Sequence, residues 1–346
     1  MDLSIAGILL LNGTTNAAVY AMLAMALVLV FTVTRVIFLP QGEYVAYGAL
    51  TLALLQLGKV PGTVWLMLAM AIAAVAQDAA RHLAQGRLGA LARDALLTIG
   101  TAAAIAALTW WGASRQWPLW ANGLLTLAII TPLGPLTYRL AYAGLADASV
   151  LVLLIVSVGV HLAMLGMALV FFGGEGFRNP SFWDERFSLG QLTLQGQSAI
   201  ILGTSALLIV LLAFFFGRTL LGKALRATAV NRLGARLMGI STTTAGSLSF
   251  ALAAFIGALS GLLIGSTTTV FYDSGFLIGI KGFIAAIFGA LASYPAAALG
   301  ALFVGLVESF GAFWQSAFKE VIVFVMILPV LFWRSFRSDP TDEEEE

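Results

Sequence analysis

The chain has 346 residues, of which 60% are hydrophobic and only 10% charged, with a net charge of +1. Soluble domains carry about 25% charged residues, so there is too little polar side chain here to cover a water-facing surface. That excludes a soluble enzyme, gives no sign of a nucleic-acid partner, and indicates a polytopic, all-α integral membrane protein.

Spans are expected at about 14–34, 41–57, 62–79, 95–111, 119–141, 149–172, 197–216, 244–266, 276–292, 295–313 and 319–334. This gives about 10–11 transmembrane helices in a single domain over residues 1–335, since a helix needs ~20 apolar residues to cross ~30 Å of hydrocarbon. These runs are apolar on all sides, whereas a transmembrane barrel needs alternating segments with a polar lumen face. The segment 3–12 reads as an additional interfacial or partly inserted helix, and the N-terminus lacks the basic region of a removable signal peptide.

The first and second spans meet at FLPQGEYVAYGAL, residues 38–50. Pro40, Gln41, Gly42 and Glu43 fit either a water-facing turn or a helix break inside the membrane. Farther on, Pro132 and Pro135 fall within one span. There they remove backbone donors and act either as a hinge or as a packing kink. The loop 173–197 carries glycines, a proline and the alternating FSLGQLTLQ, which reads as an irregular segment or small hairpin. The helix 250–265 has Gly257, Gly261 and Gly265 at four-residue spacing, a small-residue seam for close packing within the chain. The tail 336–346 is acidic and expected to be disordered.

Of the eighteen Lys and Arg residues, twelve fall in one set of alternate loops: Arg35, Arg81, Arg87, Arg93, Arg139, Arg218, Lys223, Arg226, Arg232, Arg236, Arg334 and Arg337. The opposite set holds Lys59, Arg115, Arg178, Arg186, Lys281 and Lys319. Basic residues are retained on the cytoplasmic side, which places the loop 217–243 and the C-terminus in the cytoplasm and the loop 173–197 outside.

Catalysis finds no support. His82 and His161 are the only histidines, and no HExxH, GxSxG or GxxxxGK[ST] occurs. His161 reads as a packed or hydrogen-bonded helix residue. With no cysteine either, neither metal nor cofactor is expected, and any ATP site has to lie on another chain.

Several stretches together resemble one family. GKALRATAVNRLGARLMGI (222–240) is similar to the cytoplasmic loop of the permease subunits of branched-chain amino acid (LIV-type) ABC transporters. FALAAFIGALSGLLIG, GIKGFIAAIFGALASYPAAALGALFVGLVES, LTYRLAYAGLADASVLVLLIVSVGV and the opening NGTTNAAVYAMLAMALVLVFTVTRVIFLPQGEYVAYGAL resemble the same family in the same order. The similarity leaves out roughly 80–118 and 173–197, and the extra span near 95–111 has the look of an insertion. Pro40-Gln41 stands where the family usually has Ala-His, and FWRSFRSDP lacks its usual proline-glycine ending.

The resemblance implies an importer subunit in a bacterial inner (plasma) membrane, for branched-chain or related amino acids or amides. Its expected partners are two cytoplasmic ABC ATPase subunits, a second related permease and a periplasmic substrate-binding protein. It also implies that 221–239 contains the element coupled to the ATPase, with Gly222, Leu225, Arg226, Ala227, Asn231 and Gly239 at its core. QGEYVAYGAL (41–50) and KGFIAAIFGAL (281–291) look alike and run in opposite directions in this topology, as inverted repeats with discontinuous helices would. Pro40, Gln41, Gly42, Glu43, Lys281 and Gly282 are then candidates for a pathway or helix break, and Glu43 and Lys281 each require a cavity or a partner. Two other readings remain open: a stand-alone ion-coupled secondary transporter using Glu43 and Asp78, and a membrane scaffold.

Overall fold

The computed structural model describes residues 3–84, 88–115, 117–189 and 192–335; the acidic tail lies outside them. The chain starts with α1 (Leu3–Thr34), which at 1.5 Å per residue is long enough to absorb both the first span and the extra segment 3–12 expected before it. A non-helical stretch follows, and its Val36 and Phe38 are buried. The next helix, α2 (Gln41–Gln56), is buried on every side. The break at Pro40 is therefore inside the protein, not a turn in water.

α3 (Gly62–Ala84) and α4 (Leu88–Ala113) pack on each other at the periphery. α5 (Leu119–Ile130) stops at Thr131-Pro132, α6 (Leu133–Thr137) resumes, and a π-helical turn over Tyr138–Tyr142 and a 3₁₀ turn over Ala143–Leu145 end the span. Pro132 and Pro135 cannot donate to carbonyls four residues back. Gly134 N–H takes over the Thr131 carbonyl at 3.2 Å. At this kink a Cβ on Gly134 would lie 2.1 Å from the Phe250 oxygen, so the bend lets two backbones touch.

α7 (Val150–Phe172) leads into the expected hairpin, β1 (Arg186–Leu189) antiparallel to β2 (Leu192–Gln195). α8 (Gly196–Arg218) is followed by two short amphipathic helices, α9 (Leu220–Val230) and α10 (Arg232–Leu237). α11 (Thr242–Ile264) carries the glycine seam. A Cβ on Gly261 would meet the Val45 oxygen at 2.1 Å, and one on Gly257 would meet Tyr44 Cβ at 2.7 Å, so the seam packs within the chain as expected. The stretch after it pairs with the loop 173–197: Phe177 and Val270 exchange backbone hydrogen bonds at 2.9 Å, and Asn179 Nδ2 donates to the Ala49 carbonyl at 2.9 Å.

α12 (Ser274–Phe288), α13 (Tyr294–Trp314), α14 (Lys319–Val325) and α15 (Ile327–Ser335) complete the chain. The last expected span, 319–334, is thus interrupted at Met326. Eight helices are long and apolar enough to cross a membrane among the described residues, and α2 and α12 are shorter.

Two similar units stand out. In each, a long helix (α1 or α11) is followed by a non-helical stretch and a short helix (α2 or α12), and each member of one unit packs on both members of the other. α2 runs parallel to α11, because positions 45 and 49 meet 261 and 265 in order. α13 is antiparallel to both α1 (Gly13 at Gly305, Leu9 at Ser309) and α12 (Gly289 at Ala297, Ala285 at Gly300), so α1 and α12 are parallel. The relation fits a repeat, but not in the register that the matching sequences indicate. Gly42 corresponds by position to Gly275, because α12 begins at Ser274. Lys281 and Gly282 lie inside α12 and mark no helix break, nor does Lys281 belong to a loop.

The starts of α2 and α12 meet at Gly42, Gly275 and Gly279. A Cβ on Gly42 would sit 1.9 Å from the Gly275 oxygen. Gly42→Ala is expected to destabilise the chain by at least the ~1–3 kcal/mol typical of overpacking. Gly159→Ala, which meets nothing within 4 Å, is expected to have no such effect. Thermal unfolding in detergent, read by size-exclusion chromatography, compares the two.

Candidate functional site

The junction of α2 and α12 gathers polar groups that the sequence scatters. Gln41 Nε2 donates to the Ala253 carbonyl at 3.0 Å, while its Oε1 has no hydrogen-bond partner among the described residues. Glu43, in the first turn of α2, has a fully buried side chain. Its Oε1 lies 3.1 Å from His161 Nδ1 on α7, at an angle that makes no hydrogen bond. The His161 ring lies 4.8 Å from that of Phe276, at the start of α12. Tyr47, one turn along α2, donates to the Met164 carbonyl at 2.7 Å and so holds α7 in place.

His161 is therefore packed within a helix as expected, but beside a carboxylate. The signal was available: it is a lone histidine within a strongly apolar run, and Glu43 was an acidic residue in need of a partner. The Glu43 carboxyl sits in the first turn of α2, at a helix N-terminus, where negative charge is favoured.

Lys281 belongs to a second cluster. Its Nζ donates to Glu308 on α13 at 2.6 Å and to Glu320 on α14 at 3.0 Å, and Tyr20 on α1 donates to the other Glu308 oxygen at 2.5 Å. Lys281 and Glu308 are both almost fully buried. Four helices are thus tied at one point, and the partner required by Lys281 is a pair of carboxylates. Glu308 and Glu320 escaped notice because twenty-seven and thirty-nine residues separate them from Lys281.

Asp78 on α3 pairs with Arg139 in the π-helical turn, and Arg139 also reaches Thr98 at 3.3 Å. His82 lies outside the residues whose side chains are described.

The loop 217–243 forms a helical pair. Thr219 caps α9 through the Gly222 N–H at 3.0 Å, and Asn231 caps α10 through the Gly234 N–H at 2.7 Å. Gly239 closes α10 with φ +80°, a conformation suited to glycine. The residues expected at the core of this element divide between two faces. Leu225 and Gly222 are buried against the membrane helices, a Cβ on Gly222 meeting the Phe215 oxygen at 2.1 Å, so neither faces outward. Arg226 and Ala227 are exposed. Leu237 and Met238, which the motif did not single out, are 80% and 82% exposed, and Leu220, Val230 and Leu233 of the same pair are exposed with them. α10 is pinned to the turn after the kinked span: Arg232 Nη1 donates to the Ala146 carbonyl at 2.7 Å and Arg236 pairs with Asp147 at 3.2 Å.

A chain of apolar spanning helices, two half-length helices starting inside it and one amphipathic helical pair outside it defines a multi-pass membrane permease. The family of permease components of branched-chain amino acid transport systems matches residues 85–331, and the chain belongs to that family. The match includes α4, in the stretch that looked like an insertion, and begins after Pro40–Glu43. The chain is 30% identical to the high-affinity branched-chain amino acid transport system permease protein LivH of Salmonella typhimurium and 29% identical to that of Escherichia coli K12. Both alignments cover 66% of this chain and 76% of the relative. It is also 30% identical to the permease protein BraD of Pseudomonas aeruginosa, over 57% of this chain and 66% of the relative.

Removing one partner of a buried ion pair costs about 3–5 kcal/mol, whereas replacing both by apolar groups is often neutral. Lys281→Met is therefore expected to lower the unfolding temperature sharply, and Lys281→Met combined with Glu308→Leu to recover most of the loss. A double-mutant cycle in detergent measures the coupling.

Proposed function

We propose that this chain is a membrane-spanning subunit of an ATP-driven importer in a bacterial inner membrane, carrying branched-chain or related amino acids or amides. In this reading two ATPase subunits dock on the cytoplasmic side, a second related permease completes the membrane part, and a periplasmic binding protein delivers substrate to the side of the 173–197 loop. The C-terminus is cytoplasmic. The names of the relatives support the substrate class, and the helical pair α9–α10 supports the drive.

That pair carries the proposal. Leu237 and Met238 project from a capped helix too short to cross a membrane, next to a cleft of about 630 Å³ bounded by Lys223, Arg226, Ala227, Asn231 and Met238. Burial of each such side chain against a partner contributes ~1.5–3 kcal/mol. Gly222 and Leu225 then act as the root of the element, with Arg226, Ala227 and Asn231 at its outer cleft and Gly239 as its stop.

Displacement of α10 by an ATPase would pass through Arg232 and Arg236 to the 146–147 turn. From there it would reach the π-helical turn and the kink at Pro132 and Pro135, which on this reading is the hinge. Gln41, Gly42 and Glu43, behind the break at Pro40, would line the pathway when the α2–α12 junction loosens, with Lys281 and Gly282 holding α12 to α13 and α1. An ion-coupled alternative would employ Glu43 and Asp78, but Asp78 is engaged by Arg139.

Leu237→Asp with Met238→Asp is expected to leave the permease folded and to abolish co-purification of ATPase subunits together with uptake. Leu225→Ala, by contrast, is expected to cost about 2–5 kcal/mol of stability. Retention of ATPase subunits and uptake by the double aspartate variant would sink the proposal.

A further inference from the structure

Between α8 and α13, on the side of the α9–α10 pair, the protein leaves space. α1 forms the floor, and the walls meet at Phe216 and Tyr294, whose rings lie 5.7 Å apart. This slot measures about 620 Å³ and is bounded mainly by apolar side chains, among them Met25, Leu29, Leu212, Ala213 and Ala298. Its walls come from the ends of α1, α8 and α13 nearest the basic loop, the ends that the proposed orientation puts toward the cytoplasmic leaflet.

The slot does not end blindly. Thr32, Val33, Ala229 and Val230 line both it and a second recess of about 590 Å³. That recess has the opposite chemistry, holding Arg35, Arg232 and Arg236 against a single acid, Asp147. Arg226 stands where slot and loop meet, bonded to the Phe216 carbonyl at 3.4 Å and without an ion-pair partner among the described residues. Arg232 uses Nη1 on Ala146, while its buried Nε has no acceptor among the described residues.

We propose that slot and recess together bind one anionic phospholipid. Its acyl chains lie between α8 and α13, and its phosphate accepts from Arg232 Nε with Arg35 and Arg226 around it. Four arginines against one carboxylate favour an anionic headgroup over a zwitterionic one, since each basic residue near a membrane surface contributes about 1 kcal/mol to binding anionic lipid. The lipid would lie under Leu225, Ala229 and Val230 and wedge the root of the α9–α10 pair against α1 and α13.

The test uses the assembled transporter, purified in mild detergent, stripped of lipid and reloaded with phosphatidylglycerol or phosphatidylcholine. Bound lipid is counted by native mass spectrometry. The expected result is one tightly held phosphatidylglycerol per permease chain, not displaced by inorganic phosphate and not matched by phosphatidylcholine. Arg35→Gln is expected to weaken retention about fivefold by loss of one basic contact, and Ala213→Trp to abolish it by filling the slot. Because the chain has no cysteine, an Ala298→Cys variant carries a single thiol that reports what covers the slot. Equal retention of phosphatidylcholine, displacement by phosphate alone, unchanged retention in both the Arg35→Gln and Ala213→Trp variants, or efficient disulfide cross-linking between two permease chains of the Ala298→Cys variant would each overturn the proposal.

Discussion

At the centre of this protein the backbone of α2 starts against the backbone of α12, with no side chain between Gly42 and Gly275. The rest of the structure follows from what that contact requires. A helix that begins inside the protein leaves its first N–H groups without intrahelical partners, and away from water each unsatisfied group costs several kcal/mol. The start must therefore be surrounded by protein. α2 is accordingly enclosed on all sides, with α11 and α12 packed against it and the Asn179 amide bonded to its Ala49 carbonyl. The price of the break is that the longest helix, α1, serves as a wall and not as a lipid-facing span.

Local sequence revealed the class and the glycine seam, and it narrowed Pro40 to a turn or a break and 173–197 to an irregular segment or a hairpin, because each depends on neighbouring residues. It read the short helices α2 and α12 as ordinary spans, since an apolar run looks the same whether it crosses a membrane or is buried in protein. It merged α14 and α15 for the same reason. The repeat was visible as a likeness between 41–50 and 281–291, yet its register was wrong. Small residues recur so often in this chain that Gly282 matches Gly42 as well as Gly275 does. Only the position where α12 starts distinguishes them.

The site was less legible than the fold, because its pairs are distant in sequence. Glu43 and His161 come from α2 and α7, and Lys281 meets Glu308 and Glu320 from two later helices. Need for a partner could be stated from the sequence; the partner could not. The basic loop shows the converse limit. Its motif identified the correct segment but not the orientation of its residues, and a helix of eleven residues puts Leu225 inward and Arg226 outward one position apart.

The two buried polar clusters differ in what they allow. Lys281 is held by two carboxylates in good hydrogen-bond geometry, and a third group, Tyr20, shares one of them. Separating α12 from α13 would strand charges in a medium that solvates them poorly, which opposes their separation. At Glu43, by contrast, His161 is close but not well aligned, and the remaining oxygen, like Gln41 Oε1, has no hydrogen-bond partner among the described residues. Opening the α2–α12 junction would give up few hydrogen bonds and would offer water or solute to groups that lack partners. The resistance to that opening is packing at three glycines. On the proposed coupling route, the firm α12–α13 pairing and the weak polar satisfaction at the α2–α12 junction make the junction the place where a push on α10 would meet least opposition.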